Sequence, residues 1–191
     1  MILILKGWVI MSLTKLDVAK RYSKALYEAL ASDNEVDTAK AELNALQEVL
    51  RADPELEIAL SGVALDGKQK ESLLNPLVAS VSSQYVKNLI NMLFEYHRIN
   101  DLGAVIDEFN NLYNEKHGIV KAEATTAIPL SHTEKDNLAK SFGKRINAKK
   151  VELSTKNNPD IIGGVILRSS DVVFDGSIRT KIEQVKRLLL K

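Results

Sequence analysis

The sequence predicts an α+β protein, mainly α: an N-terminal six-helix bundle followed by a small C-terminal α/β domain with a β-hairpin and a terminal helix. Three observations predict it. Up to His117 the apolar residues recur at i, i+3, i+4 spacing in six short runs. After Gly118 the texture turns β-branched and roughly alternating, beginning with Ile119 to Ile128. The closing segment then changes period within a few residues, from β-rich runs around Gly163-Gly164 to a helical stripe of Ile178, Ile182, Val185 and Leu189.

Each element has a local cause. Thr14 and Asp17 stand at capping-box spacing before the first helix, whose stripe runs through Val18, Tyr22, Ala25 and Leu30 to a stop at Asp33-Asn34. Ala39, Leu43, Leu46 and Leu50 mark the second helix. Asp53-Pro54 is an N-cap with proline at the first helical position, opening a third helix to Leu60 that Ser61-Gly62 breaks. Leu73, Leu74, Leu77 and Val81 mark the fourth, with Pro76 in its first half or kinking it. The fifth runs from Val86 to His97, and Asn100 caps a sixth through Phe109 and Tyr113. Past the strand that Pro129 ends, Ser131 and Glu134 form a capping box for a helix to about Ile146. Val151 to Leu153 is a strand and Asn157 to Asp160 a turn. The hairpin pairs Ile162–Leu167 with Val172–Phe174 across Arg168 to Asp171. Asp175 or Ser177 caps the final helix, whose Lys186, Arg187 and Lys191 suit its negative end.

Composition narrows the classes. An apolar content of 45% supports a core, and the absence of cysteine excludes disulfides and thiolate metal sites. The net charge of +1 hides a split: residues 1–117 hold 12 basic against 17 acidic side chains, and residues 118–191 hold 14 against 8. Either two domains face different partners, or charge scatters by chance over two solvated surfaces. The expected organisation is a non-native or disordered extension at 1–11, a helical bundle at 12–117 and an α/β domain at 118–191. The apolar start Met1 to Ile10 is broken at Lys6-Gly7, far short of the roughly 20 residues of a membrane span. It reads as an over-extended start before Met11, or as a short tail that touches a membrane or a partner.

No catalytic constellation emerges. There is no phosphate-cradling Gly-x-x-x-x-Gly-Lys-Ser/Thr loop and no Gly-x-Ser-x-Gly elbow. His97, His117 and His132 are scattered, without the i, i+4 spacing of a zinc face. Asp171 and Asp175 are a suggestive acid pair, but capping is the better reading. Gly163-Gly164 reads as a bulge or close backbone contact in a strand. The basic cluster Lys144, Arg145, Lys149, Lys150 and Lys156 is either an RNA-binding face or a solvated or docking face for an acidic helix; stacking aromatics are missing there. The fifth helix has two apolar stripes: Val86, Leu89, Ile90, Leu93 and Phe94, then Tyr85, Met92, Tyr96 and Ile99. Such a helix is central in the bundle or exposes a groove.

Two motifs carry a family resemblance. Gly163-Gly164 with Val165, Ile166 and Leu167, then Asp175-Gly176-Ser177-Ile178-Arg179, resembles the C-terminal signature of the delta subunit (OSCP) of F-type ATP synthases. Ala19-Lys-Arg-Tyr22-Ser-Lys-Ala25-Leu26 is similar to that family's opening helix, with Ser23 where the family usually has alanine. The resemblance spans about Ser12 to Lys191. It implies a non-catalytic stator connector of the rotary proton-translocating synthase, without cofactor or metal, joining an alpha-subunit N-terminus at the head to the peripheral-stalk b subunits. The groove for the alpha helix would be lined by Ala19, Tyr22 and Ala25 from the first helix and by Leu89, Met92 and Tyr96 from the fifth. Stalk binding would fall to the strand–helix unit containing Gly163, Gly164, Asp175, Gly176, Ser177 and Arg179. It implies a peripheral place on the cytoplasmic face of a bacterial inner membrane, with no membrane insertion, no nucleic acid and no homo-oligomer; the lack of a long organellar leader agrees. The competing reading is an RNA-binding or ribosome-associated adaptor using the basic half.

Overall fold

The computed structural model describes residues 14–62, 64–170 and 172–190. The expectations for residues 1–11, and for Asp171 and Lys191, therefore lie outside the described residues. The chain folds into two compact units that divide between Tyr113 and Asn114.

The first unit is the helical bundle: α1 (Lys15–Asp33), α2 (Val36–Ala52), α3 (Pro54–Ser61), α4 (Gly67–Ala79), α5 (Gln84–Glu95) and α6 (Leu102–His117), the last reaching into the second unit. The Thr14–Asp17 capping box opens α1, and Asn34 closes it in the left-handed region at φ 58°. Asp53 accepts from the Leu56 N–H to open α3. Leu30, Leu43, Ile90, Leu93, Ile106 and Phe109 are wholly buried and set the core, which the Tyr27 ring flanks at 5.9 Å from Phe109. Ser23, where the resemblance leads one to expect alanine, is buried too, and its hydroxyl donates to the Lys20 carbonyl at 3.2 Å, so the polar atom is satisfied.

Four helix ends differ from expectation. The fourth helix starts at Gly67 because an Asp66–Gln69 capping box opens it; Lys68, Gln69 and Lys70 carry no apolar period that would mark this start. Pro76 accordingly lies near its C-terminal end rather than in its first half, and buried Val81 lies beyond it. The fifth helix ends at Glu95. His97 takes φ 55°, and the N–H groups of His97 and Arg98 donate to the Phe94 and Leu93 carbonyls, a Schellman closure. Asn100 does not cap the sixth helix; it sits in a 3-10 turn, Ile99–Asp101, where its carbonyl accepts from Lys15 Nζ at 2.6 Å. The N-terminus of α5 is capped from outside: the Glu42 carboxylate accepts the N–H groups of Ser82 and Ser83.

A polar ladder ties α2 to α6. Tyr113 Oη donates to Asp37 at 2.6 Å, Asn110 Nδ2 to Asn44 at 2.8 Å, and Gln47 to Asp107, which Arg51 also approaches at 3.6 Å. Gln47 and Asn110 are buried, so these bonds set the register of two helices that apolar contacts alone would allow to slide.

The second unit holds β1 (Ile119–Thr126), α7 (His132–Ile146), β2 (Lys150–Asn157), β3 (Val165–Ser169), β4 (Val173–Asp175) and α8 (Ile178–Leu189). The sheet order is β2-β1-β3-β4. β1 and β2 are parallel and joined through α7; β3 runs antiparallel to β1 and pairs with β4 as the expected hairpin. Alternation along β1 buries Ala122 and Ala124 against Phe142 of α7, together with Leu153 and Leu167. The Ser131–Glu134 box opens α7, and Asn147 ends it at φ 56°. Gly163-Gly164 stands before β3, not within it, after Ile162 has already taken φ 68°. The expected turn at Asn157 to Asp160 is the end of β2 followed by a 3-10 turn, Pro159–Ile161, capped by Asn158.

Candidate functional site

The expected groove residues fall into three grades of exposure. α1 and α5 pack against each other. Ala19 and Leu89 face the bundle core and are buried, Tyr22 and Met92 are half-buried against that core, and Ala25 and Tyr96 are open to solvent. Tyr96, just past the end of α5, is 64% exposed. Ile99, assigned to the second stripe of the fifth helix, is buried in the 3-10 turn. Of the six expected residues, Ala25 and Tyr96 are therefore the exposed ones, Tyr22 and Met92 are partly accessible, and Ala19 and Leu89 are closed in the core. Leu16, in the first turn of α1, is another large apolar side chain at the surface, which helical periodicity did not distinguish.

The C-terminal signature builds a mount for α8. Gly164 has φ 79°, and a Cβ there would lie 2.3 Å from the Gly176 carbonyl oxygen; a Cβ on Gly163 would lie 2.8 Å from Ile178 Cδ1. Gly164 is therefore required by the backbone approach, whereas at Gly163 the tip of the partly exposed Ile178 side chain can turn aside; the Ile178 N–H donates to the Gly163 carbonyl at 3.0 Å. Asp175 accepts the Ser177 N–H at 2.9 Å and the Thr180 hydroxyl at 2.8 Å, while buried Ser177 caps α8 by accepting the Thr180 N–H. Arg179 is exposed and pairs with Glu183 at 3.3 Å on the same helix. Beyond Ile178 the stripe foreseen for this helix is uncovered: Ile182, Val185 and Leu189 are between 53% and 80% exposed, and Leu188 and Leu190 beside it are exposed too. The pattern marked one apolar face, and the structure leaves that face in solvent.

The Ser177 N–H, and after it the Ser177 and Thr180 hydroxyls, hold the Asp175 carboxyl below its ordinary value. A depressed folded pKa stabilises above the unfolded value, about 3.9, and the stabilisation is lost as pH falls through the folded value. Acidification from about pH 5 to 3 is therefore expected to release the first turn of α8. Protection of the Ser177 and Thr180 amides, relative to their intrinsic exchange rates at each pH, should fall over that window, and Asp175→Asn should flatten the fall.

The basic cluster sits on the C-terminal end of α7, on β2 and between them. Arg145 stacks on the Phe174 ring at 4.4 Å from its centroid, and Lys150 pairs with Glu152 at 3.8 Å. Phe174 meets buried Phe142 edge-on at 5.8 Å, so among the described residues no exposed ring of this unit accompanies the cluster. Among the described residues no group of His, Asp or Glu is placed to hold a metal ion, and no helix is long and apolar enough to cross a membrane.

The open apolar face of α8, with only hydrogen-bonding and packing roles for the polar signature residues, is what a subunit of a larger assembly presents. The chain belongs to the ATP synthase delta (OSCP) subunit family, whose profile matches residues 18–189. It is 42% identical to the ATP synthase subunit delta of Limosilactobacillus reuteri over 181 residues, which cover 95% of this chain and all of the relative. The subunit delta of Pediococcus pentosaceus is 42% identical over 180 residues, 94% of this chain and 99% of that one. In fold the chain resembles a chain of the Toxoplasma gondii mitochondrial ATP synthase hexamer, with a TM-score of 0.68 at 19% identity over 91% of this chain and 98% of that one. Members of the family are structural, non-catalytic components of the peripheral stalk, the stator of the membrane-associated ATP synthase.

Proposed function

We propose that this subunit joins the two ends of the stator: the first unit holds the N-terminal helix of an alpha subunit on the catalytic head, and the second holds the b subunits of the peripheral stalk. The domains doing so are residues 12–117 and 118–191, on the cytoplasmic face of a bacterial plasma membrane. The observation that carries the reading is the apolar surface accessible on each unit, Tyr22, Ala25, Met92 and Tyr96 on one and α8 on the other. Rotation of a central shaft drags the head unless a static arm holds it, so the joint works by binding alone. A half-buried Met beside aromatic rings suits an amphipathic helix laid between two bundle helices. The opposite formal charges of the two halves, from 12 against 17 and 14 against 8 basic and acidic residues, favour different partners at the two ends.

Calorimetric titration of the full chain with a peptide from the alpha-subunit N-terminus tests the first joint. One-to-one binding is expected, and Met92→Glu and Tyr96→Ala should each weaken it by about 2 kcal/mol, roughly 30-fold, if these are central anchors. Tyr96 is exposed, so its loss leaves the bundle folded. Undiminished binding by both variants would place the alpha helix elsewhere.

A further inference from the structure

The apolar face of α8 has the spacing of a coiled-coil seam. Ile178, Ile182, Val185 and Leu189 follow one another at intervals of four, three and four. That is the d-a-d-a register of a heptad, narrower than the face by which a helix covers a globular core. None of the α8 side chains is buried. The helix is attached to the sheet at its first turn, through the Ser177 cap and the Ile178–Gly163 contact, and has 12 residues, a length at which an unsupported helix is marginal in water. In this register the flanking e and g positions hold Arg179, Lys181, Lys186 and Leu188. Three of the four are basic. A second α8 laid alongside would bring like charges together, so pairing between copies of this chain is disfavoured.

The geometry points to α8 as one strand of a short heterotypic coiled coil, whose other helix presents an apolar heptad seam flanked by Glu or Asp. This rests on the reading that the second unit faces the stalk, and it specifies the chemistry of the helix that docks there. The sheet supplies a fixed, pre-capped first turn, so the partner has only the later turns to order. Glu183, at an outer position, holds Arg179 in place but lies off the seam.

The test is titration of the full chain with two synthetic three-heptad peptides, identical Ile and Leu seams at a and d, one with Glu at e and g and the other with Lys. The Glu peptide is expected to bind at least about tenfold more tightly at low salt, and the difference should shrink as salt rises. Lys181→Glu combined with Lys186→Glu should reverse the order. Val185→Asp should weaken both peptides at least about tenfold while thermal unfolding stays unchanged, since Val185 packs against no core. Equal affinities for the two peptides, indifference to Val185→Asp, or binding of phosphatidylglycerol vesicles in place of either peptide would overturn the inference. Crosslinking from Val185→Cys in the assembled synthase separates it from the stalk reading. Peptide selectivity without a crosslink to the stalk leaves the pairing chemistry standing and removes the stalk as its partner; a stalk crosslink without charge selectivity overturns the pairing chemistry alone.

Discussion

Gly164→Ala is expected to detach α8 from the sheet and to abolish the attachment of the second unit to the stalk. Two costs combine at this position. Alanine at φ 79° pays the left-handed penalty, about 1 kcal/mol. Its Cβ would also stand 2.3 Å from the Gly176 carbonyl oxygen, a backbone atom that moves only by breaking the approach of β3 to the start of α8. Overpacking of that kind costs about 1–3 kcal/mol, so a total near 3 kcal/mol is expected. That is a large share of the stability of a small unit. The change should appear as faster amide exchange from Val165 through Leu189 and loss of the stalk complex. The α1–α6 core shares none of these atoms and should melt as in the wild type. Unaltered exchange at Ser177 and Ile178 would show that the glycine is not what holds the mount together.

Phe109→Ala should do the corresponding damage in the bundle. The ring is wholly buried and lies 5.9 Å from Tyr27, tilted at 50°. Truncating a buried phenylalanine costs about 3–5 kcal/mol through lost transfer energy and the cavity left behind. About 1 kcal/mol of this would be the aromatic pair. For a unit of this size each kcal/mol moves Tm by about 4–8 °C, so a drop of roughly 15–30 °C is expected in calorimetry or circular dichroism. Binding of the alpha-subunit peptide should fail with the fold, in contrast to Tyr96→Ala, which removes an exposed ring and spares the core. A loss under about 1 kcal/mol would mean that the site collapses around the missing ring.

What could be read from the chain follows the range of each interaction. The Thr14–Asp17 and Ser131–Glu134 boxes and the Asp53-Pro54 start lie within four residues, and all three open helices where expected. Pro76 stands elsewhere than expected because Lys68, Gln69 and Lys70 carry no apolar period to locate the helix start, and Asn100 because a 3-10 turn comes before the helix that begins at Leu102. The α2–α6 ladder is invisible in the sequence. Its bonds join residues 60 to 76 positions apart, and each polar side chain looks solvated on its own helix. The terminal signature is legible as composition, two glycines and a capping triplet, whereas the reason for Gly164, a carbonyl at Gly176, needs the folded chain. Exposure is the least legible quantity. Periodicity puts Leu89 and Tyr96 on different stripes but does not say which stripe is exposed, nor that the Ile182 stripe meets no core.

The measurement closest to the central claim uses membrane vesicles whose ATP synthase has been stripped of this subunit. Such vesicles should hydrolyse ATP without pumping ions, and adding the purified chain should restore ATP-driven pumping while the rate of hydrolysis changes little. Pumping in the absence of the chain, or hydrolysis that itself depends on the chain, would contradict its role as a mechanical link.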